Sequence, residues 1–289
     1  MSERTPIWEG LSPEEHEYQY NPQRSVRDFA AAQAWRASLS AIVVQKFSRH
    51  VDVAYGPGAL HKVDIYPGSG EGPRPVHVFF HGGYWRAQDK QNFAYLAGEL
   101  APRGITSVIA NYDLCPAVTL DQTVASALAG LAWTGRSIAA YGGDPSRITL
   151  SGHSAGAHLG AACLATDWTA AHGLPADLVK GAVLISGIYD PAPARLTTVD
   201  AEIRLTPEII ARQNYEHHPP RTRCPVWVIA GADEPWHWID QSYRYAHHLH
   251  RHGIAPGVVV SPGYHHFNIM NQYAASDSDV MRCVLSLPR

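Results

Sequence analysis

From residue 51 onward, short apolar runs rich in β-branched residues alternate with longer segments whose apolar positions recur at helical spacing. The runs at 51–55, 62–66, 76–80, 106–110, 147–151, 182–186, 226–230 and 257–261 have strand length and are predicted as strands. The segments 92–100, 120–141, 157–165, 241–252 and 278–287 are predicted as helices. Strands that are apolar throughout, separated by helices, belong to a sheet covered on both faces. The pattern therefore predicts an α/β fold with a mostly parallel central sheet and helices on both sides. The first two strands are close enough in sequence to pair as an antiparallel hairpin. Residues 1–45 read as an N-terminal segment, helical or irregular, that carries Tyr18, Tyr20, Phe29 and Trp35. The stretch 190–223 interrupts the alternation. It contains prolines, has helical spacing over 206–214, and reads as an insertion over one end of the sheet, either a lid or a longer crossover. There is no internal repeat, so 1–289 is expected to be one domain.

Composition narrows the partners. The charged fraction is 17% and the net charge −3, with no long run of one sign, so neither nucleic acid nor an anionic membrane surface is called for. The first ten residues lack a basic start followed by an apolar run, and no stretch has the length of a membrane span, so cytoplasm is the default expectation. The four cysteines, Cys115, Cys163, Cys224 and Cys283, are scattered without a CxxC pair, which argues against a disulfide framework or a thiolate metal site. Seventeen histidines invite a search for metal-ligand spacing. His248 and His252 fall four apart, but no carboxylate completes a zinc pattern, and the segment reads as a solvated helix face. No metal and no organic cofactor is expected. The expected partner is a small molecule, and a homodimer is compatible with the sequence.

The chemistry concentrates in four places. Gly152-His153-Ser154-Ala155-Gly156 matches G-x-S-x-G, with a predicted strand before it and a small-residue helix after it. That context puts Ser154 on a sharp strand-to-helix turn, where flanking side chains would collide and the N–H of Ala155 can face a developing oxyanion. His81-Gly82-Gly83-Tyr84-Trp85 ends a strand about seventy residues earlier, where a second oxyanion loop is expected; bare Gly82 and Gly83 amides could approach the same oxygen. After the strand at 226–230 come Gly231-Ala232-Asp233-Glu234. A carboxylate here could accept the histidine N–H and fix its tautomer. The Gly-x-x-acid spacing favours Glu234, with Asp233 as the alternative acid. After the last strand, His265-His266-Phe267 offers a base; His266 is preferred and His265 is the rival. The order Ser, acid, His is that of a catalytic triad on this architecture. Tyr84, Trp85, Trp236 and Phe267 lie on the same loops and are the expected contacts for an aromatic substrate; Trp238 is a weaker one.

Taken together, the chain resembles the arylformamidase (kynurenine formamidase) branch of the α/β-hydrolases, close to the hormone-sensitive-lipase-like esterases. The resemblance rests on His81-Gly82-Gly83-Tyr84-Trp85, Asn111-Tyr112-Asp113-Leu114-Cys115-Pro116, Gly143-Asp144-Pro145, Gly152 to His158, His266-Phe267 and the early Tyr20-Asn21-Pro22. It covers most of the chain. It implies the α/β-hydrolase fold, a triad of Ser154, an acid and His266, an oxyanion hole from Gly82, Gly83 and Ala155, and hydrolysis of N-formyl-L-kynurenine to L-kynurenine and formate. The departure is Asp233-Glu234-Pro235, where the family shows a single acid. The other readings are a carboxylesterase or an aryl amide or carbamate hydrolase, and, from a different class, a non-catalytic binding protein on the same fold.

Overall fold

The computed structural model describes residues 8–289; the first seven residues of the expected N-terminal segment lie outside the described residues. Eight strands form one sheet: β1 (His50–Ala54), β2 (Lys62–Tyr66), β3 (Arg74–Phe80), β4 (Thr106–Ala110), β5 (Gly143–His153), β6 (Val179–Ile185), β7 (Val226–Gly231) and β8 (Gly257–Ser261). Their spatial order is β1-β2-β4-β3-β5-β6-β7-β8. β2 runs antiparallel to both β1 and β4, as the expected hairpin requires, and every other pair is parallel.

The central strands are mostly apolar because side chains alternate between two buried faces, whereas β1 at the sheet edge is largely exposed. Val76, Val78 and Phe80 of β3, with Leu150 of β5 and Val228 of β7, join one core. That core is closed by the helices Leu120–Ser137, Ala155–Ala165 and Trp236–Arg251. Phe79, Ile109, Val183 and Ile229 point the other way into a second core. There they meet the segment Lys90–Leu100 and the helix Asp279–Ser286. Thr119 opens the first of these helices with a capping box to Gln122, as its sequence position invites.

Several elements differ from their sequence outlines. Residues 92–100, expected as one helix, form a 3-10 helix (Lys90–Leu96) followed by a single α-turn (Ala97–Leu100). The backbone there is held by tertiary contacts: Lys90 N–H donates to the Asn111 side chain at 2.7 Å. The expected helix at 241–252 begins earlier, at Trp236, directly after Pro235, whose ring fixes the entry. On that helix His248 is buried, not solvated, and its Nε2 donates to the His218 carbonyl at 2.9 Å. The N-terminal segment is well formed, with helices Pro13–Tyr20 and Phe29–Lys46. The interruption at 190–223 holds a 3-10 turn (Ala192–Leu196) and two short helices, Asp200–Ile203 and Pro207–Gln213. It is pinned to the N-terminal segment where Glu17 accepts from the Thr198 N–H at 2.8 Å.

Candidate active site

Four strands end at the same edge of the sheet, the carboxyl edge at which parallel sheets bind ligands. β5 leads into Ser154, β3 into His81-Gly82-Gly83, β7 into Glu234, and β8 into His266. Ser154 stands between β5 and the helix Ala155–Ala165 with φ 56° and ψ −118°, a sparsely populated conformation that aims the side chain away from both elements. The turn closes tightly, because a Cβ at Gly156 would come within 2.0 Å of the Phe80 carbonyl oxygen. Only glycine fits there.

Across the gap, Gly83 has φ 118° and a Cβ on it would meet the Ala87 carbonyl oxygen at 2.2 Å. The loop is pressed against the serine: a Cβ on Gly82 would lie 3.2 Å from Ser154 Cβ. The N–H groups of Gly82, Gly83 and Ala155 donate to no acceptor among the described residues. Uncommitted amides beside one serine hydroxyl are the elements of an oxyanion-binding site.

The acid and the imidazole meet directly. His266 Nδ1 donates to Glu234 Oε1 at 2.6 Å, and both side chains are buried. The second oxygen, Glu234 Oε2, accepts from the Ser186 hydroxyl at 2.9 Å and from the Gly231 N–H at 2.8 Å. Asp233, the alternative acid, is exposed. Its backbone N–H donates to Tyr264 O at 3.0 Å. The turn after β7 thus points residue 233 to solvent and residue 234 inward. Burial raises the Glu234 pKa, opposed by the bonds from Gly231 and Ser186. Burial also lowers the His266 pKa, helped by the nearby charges of His265 and Arg36. The imidazole is therefore neutral near pH 7, with Nδ1–H held by Glu234 and Nε2 left as an acceptor. The rival His265 turns outward toward Asp28, at 3.2 Å.

Two positioning groups escaped the sequence reading. His153, inside the serine motif, donates from Nε2 to the His266 carbonyl at 2.7 Å, so the serine turn holds the histidine loop. Burial and the neighbouring His266 and Arg36 push its pKa well down, which keeps it neutral. Ser186, at the end of β6, braces Glu234, and its own carbonyl accepts from Trp238 Nε1 at 3.0 Å. Position at a strand end next to β5 was the available signal for Ser186. For His153 there was none beyond its place in the motif.

The expected aromatic contacts divide. Tyr84 and Phe267 line the cavity that reaches Ser154 and His266. Trp85 does not: φ 58° turns it into the core, where it is fully buried with its ring edge-on to His158 at 4.9 Å. Trp236 does not either; it is 66% exposed and packs against Tyr243 on the outer face of its helix. Trp238 is buried edge-on to the His266 ring at 4.8 Å. The cavity encloses about 550 Å³ of free space, including the part open to solvent. Much of its wall comes from the N-terminal segment, through Asn21, Phe29 and Arg36. Tyr84 ties that segment down, its hydroxyl donating to the Tyr20 carbonyl at 2.8 Å. From the 190–223 stretch, Val199 reaches the cavity.

This fold and this arrangement define an α/β hydrolase. A model of the alpha/beta hydrolase fold family matches residues 77–270, and the chain belongs to that family and is an enzyme of the hydrolase class. A putative thioesterase structure from Silicibacter sp. superposes with a TM-score of 0.83 over 94% of this chain and 99% of that one, at 24% identity, a likeness of fold. Sequence similarity is more particular. The kynurenine formamidase of Danio rerio is 30% identical over 92% of each chain. That of Drosophila melanogaster is 31% identical over 79% of this chain and 78% of its own. Within the hydrolases, the chain belongs to the kynurenine formamidase-like branch. No helix among the described residues is long and apolar enough to cross a membrane.

Proposed function

We propose that the protein is a serine hydrolase that removes the formyl group of N-formyl-L-kynurenine through an acyl-enzyme on Ser154. The observation that carries this reading is that His266, held by the buried Glu234 at 2.6 Å, lines the same cavity as the strained Ser154, with the rings of Phe29, Tyr84, Phe93 and Phe267 around it. Relatives named kynurenine formamidase, similar along most of their length, support the choice of substrate.

His266 Nε2 takes the Ser154 proton as Oγ attacks the formyl carbon. The carbonyl oxygen becomes negative and is received by the amides of Gly82, Gly83 and Ala155. Glu234 stays ionised and steadies the imidazolium that forms. The C–N bond then breaks, and His266 returns its proton to the leaving aryl amine. Water, deprotonated by the same nitrogen, attacks the formyl ester, and formate leaves as Ser154 recovers its proton.

Mass spectrometry of acid-quenched enzyme during turnover of N-formyl-L-kynurenine tests the reading. A formyl adduct is expected on the peptide carrying Ser154. Turnover without an adduct, undiminished in Ser154→Ala, would refute it.

A further inference from the structure

The helix Phe29–Lys46 turns one stripe inward, Ala32, Arg36, Ser40 and Val43, at spacings of four, four and three. Three of these are small or apolar, as the inner face of a helix should be. Arg36 is the exception. It is 4% exposed, and among the described residues it forms no ion pair and donates to no acceptor. Its guanidinium lies over the Phe93 ring at 5.4 Å. It also lines the cavity that contains Ser154, His153 and His266. Its charge is felt at both imidazoles, whose protonation it opposes.

An unpaired buried cation is expensive, and a cation beside a catalytic imidazole is more so. A guanidinium stays charged under this burial and presents a flat fork of donors. The other buried lysine or arginine among the described residues, Lys90, is treated differently: it pairs with Asp52 and Asp64. Arg36 has a cavity where Lys90 has two carboxylates.

We infer that Arg36 is the anchor for a carboxylate on the substrate, so that the site takes aryl acyl compounds whose leaving portion bears an anionic arm. This rests on the proposed function for the reaction and deepens it by naming the substrate feature that is recognised. The anion cancels the charge facing the cavity, and the guanidinium fork donates two hydrogen bonds to it. The aryl ring then lies between this anchor and Ser154, against Phe29 and Phe267. Arg36 is a specificity residue in this account; it takes no part in proton transfer.

The test uses 4-phenylbutyrate and its neutral amide, which differ only at the carboxylate, bound to the full chain and followed by calorimetry. The acid is expected to bind about 10- to 100-fold more tightly than the amide, the worth of a charge-assisted pair. In Arg36→Met, which keeps an apolar stem over Phe93, this preference is expected to vanish while the amide affinity is kept. In Arg36→Lys part of the preference should remain, which also serves if the methionine variant fails to fold. Equal binding of acid and amide to the wild type, or an acid preference that survives in Arg36→Met, would overturn the inference. An acid preference that depends on Arg36, together with no turnover of N-formyl-L-kynurenine, would leave the anchor standing and reject that substrate.

Discussion

Glu234 Oε1 lies 2.6 Å from His266 Nδ1, while its chain neighbour Asp233 faces solvent. The two adjacent acids are therefore separable by experiment. Glu234→Gln keeps the shape but cannot hold the imidazole in the required tautomer, and kcat is expected to fall about 10³- to 10⁴-fold. Asp233→Asn should stay close to wild type. The reverse pattern in steady-state kinetics would move the acid to Asp233.

His266 also sets the pH dependence. Its pKa is lowered by burial and by the charges of His265 and Arg36, and the base works only when neutral. Activity is thus present above the lowered pKa and lost as pH falls through it. The acid limb of kcat/KM should have its midpoint below 6.5, the ordinary histidine value. A midpoint above 7 would show that Glu234 outweighs burial in the free enzyme.

The aromatic contacts give a third expectation. Phe267 lines the cavity and packs on Phe29 with ring centroids 4.4 Å apart, whereas Trp236 is turned to solvent. Phe267→Ala should raise KM for an aryl substrate several-fold, in line with roughly 0.5–1.5 kcal/mol for an aromatic pair. Trp236→Ala should leave kcat/KM unchanged. Equal losses in both would place the aryl site elsewhere.

Stability has a separate anchor. Lys90 Nζ is buried between Asp64 at 2.9 Å and Asp52 at 2.7 Å. Lys90→Met leaves the buried Asp64 carboxylate without its cation. It should cost about 3 kcal/mol in urea unfolding, the lower end for a broken buried pair. A loss below about 1 kcal/mol would mean that the Asp52 N–H, which donates to Asp64 at 2.9 Å, suffices.

The sequence was most legible where local chemistry decides the outcome. Strand runs such as Thr106–Ala110 and the Ala182–Ile185 part of β6 announce themselves by short stretches of β-branched and apolar residues, because both faces of the sheet are covered there. The serine turn is equally legible from its motif: Gly152 is demanded by a contact within the turn, to the Gly156 carbonyl, although Gly156 itself is demanded by the distant Phe80 carbonyl at the end of β3. Distant contacts were not. Arg36 reaches the cavity because the N-terminal helices from Pro13 onward fold over the site, through bonds such as Tyr84 to Tyr20 spanning 64 positions. His153 and Ser186 act through partners 113 and 48 residues away. Trp85 and Trp236 sat on the expected loops, but backbone φ and helix phase, not loop membership, decide which way a ring points.

The most direct measurement compares kcat/KM for N-formyl-L-kynurenine with that for p-nitrophenyl acetate, each repeated with Ser154→Ala. The account predicts that the formamide is much the better substrate and that both activities disappear in the variant. Turnover of the ester with none of the formamide would contradict the proposed substrate, and activity surviving in Ser154→Ala would contradict the proposed nucleophile.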